Sequence, residues 1–384
     1  MMIFRRNKII PWVLVVIIIA GQVPWVIWDF LWIRGVLNII IFILSLIYLK
    51  NINRNKIYTL VAIMFLLIYF IIHDSFNLGT TSLFVFIVAV VIIPNELKIK
   101  TVLLLNKVTT YILIPGVILY ALYLIGINLP YTEMYSTWKE VAYKNYFFFI
   151  IKVSYNFDSI LDLFRFYSIF DEPGTLGTFL IFLIAINRFE LTKRNVFFFI
   201  VGLFTFSLAF IVLFFIGLVL FKFKFSIKRF IIILSTTVVI FTIFNSIPIL
   251  EENILQRLEY NDGKVSGNNR TSEKTDEYFS RFITSNNALI GLGAGKYLYE
   301  SEDRIGNSSY KIFIIDYGIL GAAILIFIYV MLMPKKLDKH VLYLFILFFI
   351  SFLQRPYSLS AWQIILFSSG IAYLIHMKKI KLSK

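Results

Sequence analysis

The chain contains no cysteine. Disulfides, thiolate nucleophiles and cysteine-based metal sites are therefore excluded. Histidine is almost as scarce. His73, His340 and His376 lie far apart, so a histidine metal cluster is not expected. Charge is sparse as well, at 15% of the 384 residues.

Apolar residues fill the place of what is missing. They make up 59% of the chain, with 41 Phe and 22 Tyr, and the mean hydropathy is +0.84. This lies far outside soluble composition and predicts an all-α, polytopic membrane protein. The net charge of +15 would suggest nucleic acid in a soluble protein. Its distribution suggests a membrane instead and no nucleic-acid partner. The first apolar stretch follows Arg5, Arg6 and Lys8 with no small-residue cleavage site. It reads as a first transmembrane helix, not a removable signal.

A spanning helix needs about 20 apolar residues, somewhat fewer where neighbours protect its ends. Twelve spans are expected, near 9–28, 31–49, 57–72, 81–95, 102–126, 173–187, 194–206, 208–221, 230–249, 311–333, 341–353 and 361–377. Both termini then lie on one side. The segments assigned to that side hold 23 of the 37 Lys and Arg. They hold only 3 of the 22 Asp and Glu, namely Glu96, Glu190 and Asp338. This asymmetry makes that side cytoplasmic. The stretch 194–221 has the length of one long helix, but one helix would put Lys222, Lys224, Lys228 and Arg229 outside. A hairpin turning near Thr205–Ser207 is preferred.

Two large loops, 127–172 and 251–310, fall outside. Loops this long are functional or disordered, and their many aromatic and aliphatic residues argue for order. No internal repeat and no separate soluble domain are evident, so 1–384 reads as one membrane domain. The run GLGAG at 291–295 looks like a phosphate loop only superficially. No strand precedes it and no Lys-Ser/Thr pair follows, so a tight turn is the reading.

The stretch RFYSIFDEPGTLG, 165–177, places Arg165, Ser168, Asp171 and Glu172 before a Pro-Gly break. Arginine suits phosphate because its planar fork donates two parallel hydrogen bonds and keeps its charge. A nearby carboxylate can take a proton from an attacking hydroxyl. Plainer roles fit the same spacing. Arg165 can pair with Asp162, and Glu172 can cap the helix that begins at Pro173. Arg270 and Arg281 flank the acidic run Glu273, Asp276 and Glu277, so they either pair locally or hold a ligand. Arg355 sits at an outside helix junction, as an anchor or a clamp member. Adjacent carboxylates such as Asp171–Glu172 and Glu251–Glu252 do not readily converge on one ion, so no metal is expected. Tyr310 or Trp138 can stack on a sugar ring.

RFYSIFDEPGTLG resembles the R-x-x-S-x-F-x-E-P-G-x-x-G element of bacterial polysaccharide repeat-unit polymerases, the Wzy type of O-antigen and capsule assembly. SGNNRT followed by ALIGLGAGKY is similar to their second large outside loop. NSSYKIFIIDYGILG is similar to the helix start after it. The likeness extends over about 100–330. The histidine typical of the related ligases is absent, with Asn307 near its place. The resemblance implies a metal-independent, membrane-embedded glycosyltransferase of the C-type architecture, working without a cofactor in the bacterial cytoplasmic membrane. Its substrates would be oligosaccharides on undecaprenyl pyrophosphate. Its partners would be membrane lipid and, in the same pathway, a chain-length regulator and a flippase. Glu172 would be the base or would orient Arg165. Arg165, Arg270 and Arg281 would hold the pyrophosphate, and Arg304, Arg355, Ser168 and Tyr310 complete the substrate-binding set. A ligase of the same superfamily, or a lipid-linked oligosaccharide flippase without chemistry, is the alternative.

Overall fold

The computed structural model describes residues 2–136, 141–153, 165–222, 260–261, 264–265, 272–297, 309–354 and 359–382. They are mostly helical. Four helical segments are long and apolar enough to cross a membrane: Ile33–Lys50, Lys56–His73, Asn95–Leu124 and Tyr310–Met331. Shorter apolar helices include Pro173–Ile186, Leu208–Lys222 and Lys339–Gln354. The chain is thus a helical membrane protein by length and composition. Helices occupy eleven of the stretches read as spans; the remaining one, 230–249, lies outside the described residues.

Contacts divide the chain into two units, Met1–Thr109 with Thr271–Lys384, and Thr110–Arg270. The first unit is built from α1 (Met2–Ala20), α2 (Ile33–Ser45), α3 (Arg54–His73), α4 (Leu78–Ile92) and the first half of α5 (Asn95–Leu124). After residue 271 come α9 (Glu273–Phe282), α10 (Tyr310–Met331), α11 (Lys339–Gln354) and α12 (Ala361–Leu382). Helix α4 packs on α2, α3 and α12, while α10 packs on α3, α9 and α11. Short polar residues start these helices as their chemistry dictates. Asn53 accepts from the Lys56 N–H, Ser272 from Thr275 and Ser309 from Lys311.

One polar junction ties the ends of α11 and α12. Asp338 accepts from the His340 N–H at 2.9 Å and from Lys378 Nζ at 2.8 Å. Burial alone would raise its carboxyl; the Lys378 and His340 contacts outweigh that and hold it at about 2.

The second unit contains a departure from the all-α expectation. Within the loop 127–172, β1 (Thr132–Ser136), β2 (Val141–Asn145) and β3 (Ile150–Lys152) form an antiparallel meander in that order. Tyr135 faces Ala142 and Met134 faces Tyr143 in the first pair. The strands are short and their alternation is weak, so no period-two pattern stands out in the sequence. Their packing is clearer: Tyr143, Phe149, Ile150 and Ile151 are buried, and Tyr146 stacks on Phe149 at 4.5 Å.

The strands lead to α6 (Pro173–Ile186), α7 (Lys193–Phe204) and α8 (Leu208–Lys222). All fourteen residues of α6 are buried, as expected of a helix that is apolar on every face. Helices α7 and α8 are separate and turn at Thr205–Ser207, which is the hairpin read from the basic residues after 221.

Candidate functional site

The motif 165–177 is a buried turn laid over the α7–α8 hairpin. The Phe166 N–H donates to Phe204 O at 2.9 Å and Arg165 Nε donates to Thr205 O at 3.1 Å. Thr205 is the C-cap of α7, where a cation also complements the helix dipole. A Cβ at Gly177 would sit 3.0–3.2 Å from Phe210 Cβ, Thr205 Oγ1 and Ser207 Cβ. Glycine there lets the first turn of α6 close on the same hairpin. Arg165 and the start of α6 therefore converge on Thr205, whose role the sequence reading of the hairpin did not reveal.

Glu172 sits at the N-cap of α6, with Pro173 at the first helical position. Its side chain makes no capping bond to a backbone N–H. It accepts instead from Thr175 Oγ1 at 3.4 Å, and it is half-buried. Its neighbour Asp171 is buried. Ser168 is fully buried, with φ +53°. Its carbonyl accepts from the Ile150 N–H and its hydroxyl donates to Phe148 O at 3.5 Å. Those are contacts within the fold, and they join the motif to the β meander.

The other expected site residues are distributed differently. Arg281 is exposed in the last turn of α9, with no side-chain bond to any described residue. Asp276, one of the acids flanked by Arg270 and Arg281, bonds Lys311 Nζ of α10 at 2.8 Å. Tyr310 opens α10 and meets Phe279 edge to face, centroids 6.1 Å apart. Arg270, Arg304, Arg355, Asn307 and Trp138 lie outside the described residues.

The first unit holds a second polar cluster. Helix α10 breaks at Gly318, which has φ 67° and ψ 178°. The break turns the carbonyls of 315–317 away from an ordinary helical ladder. The glycine turn 291–295 supplies the missing donors. Leu292 N–H donates to Ile315 O at 2.8 Å, Gly293 N–H to Asp316 O at 2.9 Å, and Gly295 N–H to Asp316 Oδ1 at 3.1 Å. Tyr69 of α3 hydrogen-bonds Ile290 O and Tyr317 O, each at 2.7 Å. A ring nitrogen of His73 lies 3.0 Å from Ile290 O. Irregular backbone is tolerated in a spanning segment only when protein satisfies it in this way.

GLGAG is thus a tight turn, as expected, and its purpose is to dock a broken helix. Beside it, Tyr317 donates to Asp74 Oδ1 at 2.6 Å. Both residues line a cavity of about 200 Å³ otherwise walled by side chains such as Phe70, Leu83 and Phe84. Asp74, Asp316 and Tyr317 escaped the sequence reading. The interruption of an apolar span by Asp316-Tyr317-Gly318 was the signal for the last two. Among the described residues, no group of three or more His, Asp or Glu is arranged to hold a metal ion.

The site and fold define a helical membrane protein with an arginine–carboxylate turn at the start of a buried helix. The chain matches no family model, no curated protein and no solved structure.

Proposed function

We propose that this protein is a membrane-embedded, metal-independent glycosyltransferase of the repeat-unit polymerase type. Its substrates are oligosaccharides on undecaprenyl pyrophosphate, and it works at the outer face of the bacterial cytoplasmic membrane. The observation that carries the reading is the stretch 165–177, which sets Glu172 at the N-cap of α6 and Arg165 on the C-cap of α7. In this reading a hydroxyl of the acceptor glycan attacks the anomeric carbon of the donor. The bond from that carbon to pyrophosphate breaks, and Glu172 takes the hydroxyl proton. Arg165 offsets the charge developing on the departing pyrophosphate.

The proposal includes twelve spans, cytoplasmic termini, and outside positions for 127–172 and 251–310. Single cysteines are informative in a cysteine-free chain. Ser136 is fully buried, so Glu133, exposed on the same strand, is the better position, with exposed Ser280 for the second loop. Both cysteines should react with an impermeant maleimide in intact spheroplasts. Labelling that appears only after lysis would reverse the topology.

Polar groups beside the Asp74–Tyr317 cavity also suit a transporter path, which keeps a flippase as the competing reading. A deletion strain separates the two. Loss of a polymerase leaves single lipid-linked repeats on the outer face and no long polymer. Repeats trapped on the inner face would indicate a flippase, and long chains left on undecaprenyl pyrophosphate a ligase.

A further inference from the structure

A groove of about 620 Å³ lies in the first unit between α1, α2, α4 and the start of α12. Its lining is largely apolar, with Ile17, Val36, Leu83 and Val85 among its walls. Arg34, Asn38, Thr81 and Ser82 supply polar groups. Asn38 is only 6% exposed. Its Nδ2 donates to Ser82 Oγ at 3.4 Å, and Ser82 in turn donates to Gly79 O at 2.7 Å. With the serine proton on Gly79 O, the serine oxygen accepts from Asn38. This arrangement gives every proton of the pair a place. Asn38 Oδ1 is then a buried acceptor with no donor among the described residues. Leaving such an atom unsatisfied is costly, so a ligand that brings a donor would be held.

Arg34 sits one turn before Asn38, near the start of α2, with Trp32 65% exposed beside it. A tryptophan and a cation at the end of an apolar helix mark a membrane interface. The groove lining contains no carboxylate. A phosphate suits Arg34, and a hydroxyl, not an ammonium, suits Asn38 Oδ1 where no acid balances a second cation.

We propose that this groove holds one bilayer phospholipid of the phosphatidylglycerol class. Its phosphate meets Arg34, its glycerol hydroxyl donates to Asn38 Oδ1, and its chains follow the apolar faces of α1, α2 and α4. The proposal requires a membrane but not the glycosyltransferase reading.

The test uses the full chain, delipidated in detergent, returned to vesicles of equal phosphatidylglycerol and phosphatidylethanolamine, and re-extracted for native mass spectrometry. Retention of one phosphatidylglycerol, roughly fivefold or more over phosphatidylethanolamine, is expected. Asn38→Leu keeps the volume and removes the acceptor, and should lower that retention about tenfold. Arg34→Gln, at an exposed position, should do the same with the helical circular dichroism unchanged. If Asn38→Leu does not fold, Arg34→Gln alone decides. Equal retention of both lipids, or unchanged retention in Arg34→Gln, overturns the proposal. So does displacement of the lipid by equimolar undecaprenyl phosphate, which would make this a carrier site. Displacement by millimolar inorganic phosphate would make it a bare anion site and overturn it as well.

Discussion

Glu172→Gln should abolish or strongly reduce polymer while the protein inserts at wild-type abundance. The substitution keeps shape and hydrogen-bonding capacity but removes the ability to hold a proton. Loss of a general base costs about 10²–10⁴ in rate. A capping residue behaves differently, because Gln still accepts a hydrogen bond and full loss of a cap costs roughly 0.5–2 kcal/mol. The structure sharpens this contrast. The Glu172 side chain takes no backbone N–H of α6, and its bond from Thr175 Oγ1 is long, at 3.4 Å. Gln can accept the same Thr175 bond, so Glu172→Gln leaves that contact in place. Glu172→Asp should retain part of the activity, since the carboxylate survives but is drawn back by one methylene. The measurement is chain-length distribution on a gel, normalised to membrane protein level. Wild-type polymer from Glu172→Gln would move the base elsewhere, with exposed Glu273 and Glu277 of α9 the next residues to test.

Gly318→Ala should unfold the junction between α10 and the glycine turn. Two costs add. A side chain at φ 67° with ψ 178° occupies a backbone region that is essentially glycine's own, at about 1–3 kcal/mol. The new Cβ would also lie 2.3 Å from Leu289 O and 2.5 Å from Ile290 C, both backbone atoms. Neither can swing away as the end of a flexible side chain can. Relief requires the turn to leave, which breaks the bonds of Leu292 and Gly293 to Ile315 and Asp316. The expected result is a clearly lowered thermal midpoint in detergent and faster proteolysis within 286–297. Gly295→Ala, whose Cβ would meet nothing within 4 Å, isolates the cost of positive φ alone and should be milder. Equal midpoints for wild type and Gly318→Ala would mean that the break is not a fixed feature of the fold.

The sequence by itself determined the class. Apolar runs that recur along the chain can only be helices in or near lipid, because no other short element satisfies its own backbone there. The basic residues after 221 argued for a turn within 194–221, and α7 and α8 are indeed separate helices that turn at Thr205–Ser207. The glycine turn and the start of α6 at Pro173 were legible for the same local reason: Gly and Pro restrict backbone geometry wherever they occur.

Tertiary structure alone decided the rest. Nothing in 165–177 says that Arg165 closes on Thr205, forty residues away, or that Ser168 is buried beneath the β meander. Those pairings depend on non-local packing, which leaves no period in the sequence. The same holds for the break in α10. Gly318 is one glycine in an apolar helix until the turn around Gly291 is seen to press against it. Asn38 likewise reads as a lone polar residue in a span. Its unsatisfied oxygen follows from the pairing with Ser82, from another helix, whose own proton goes to Gly79 O.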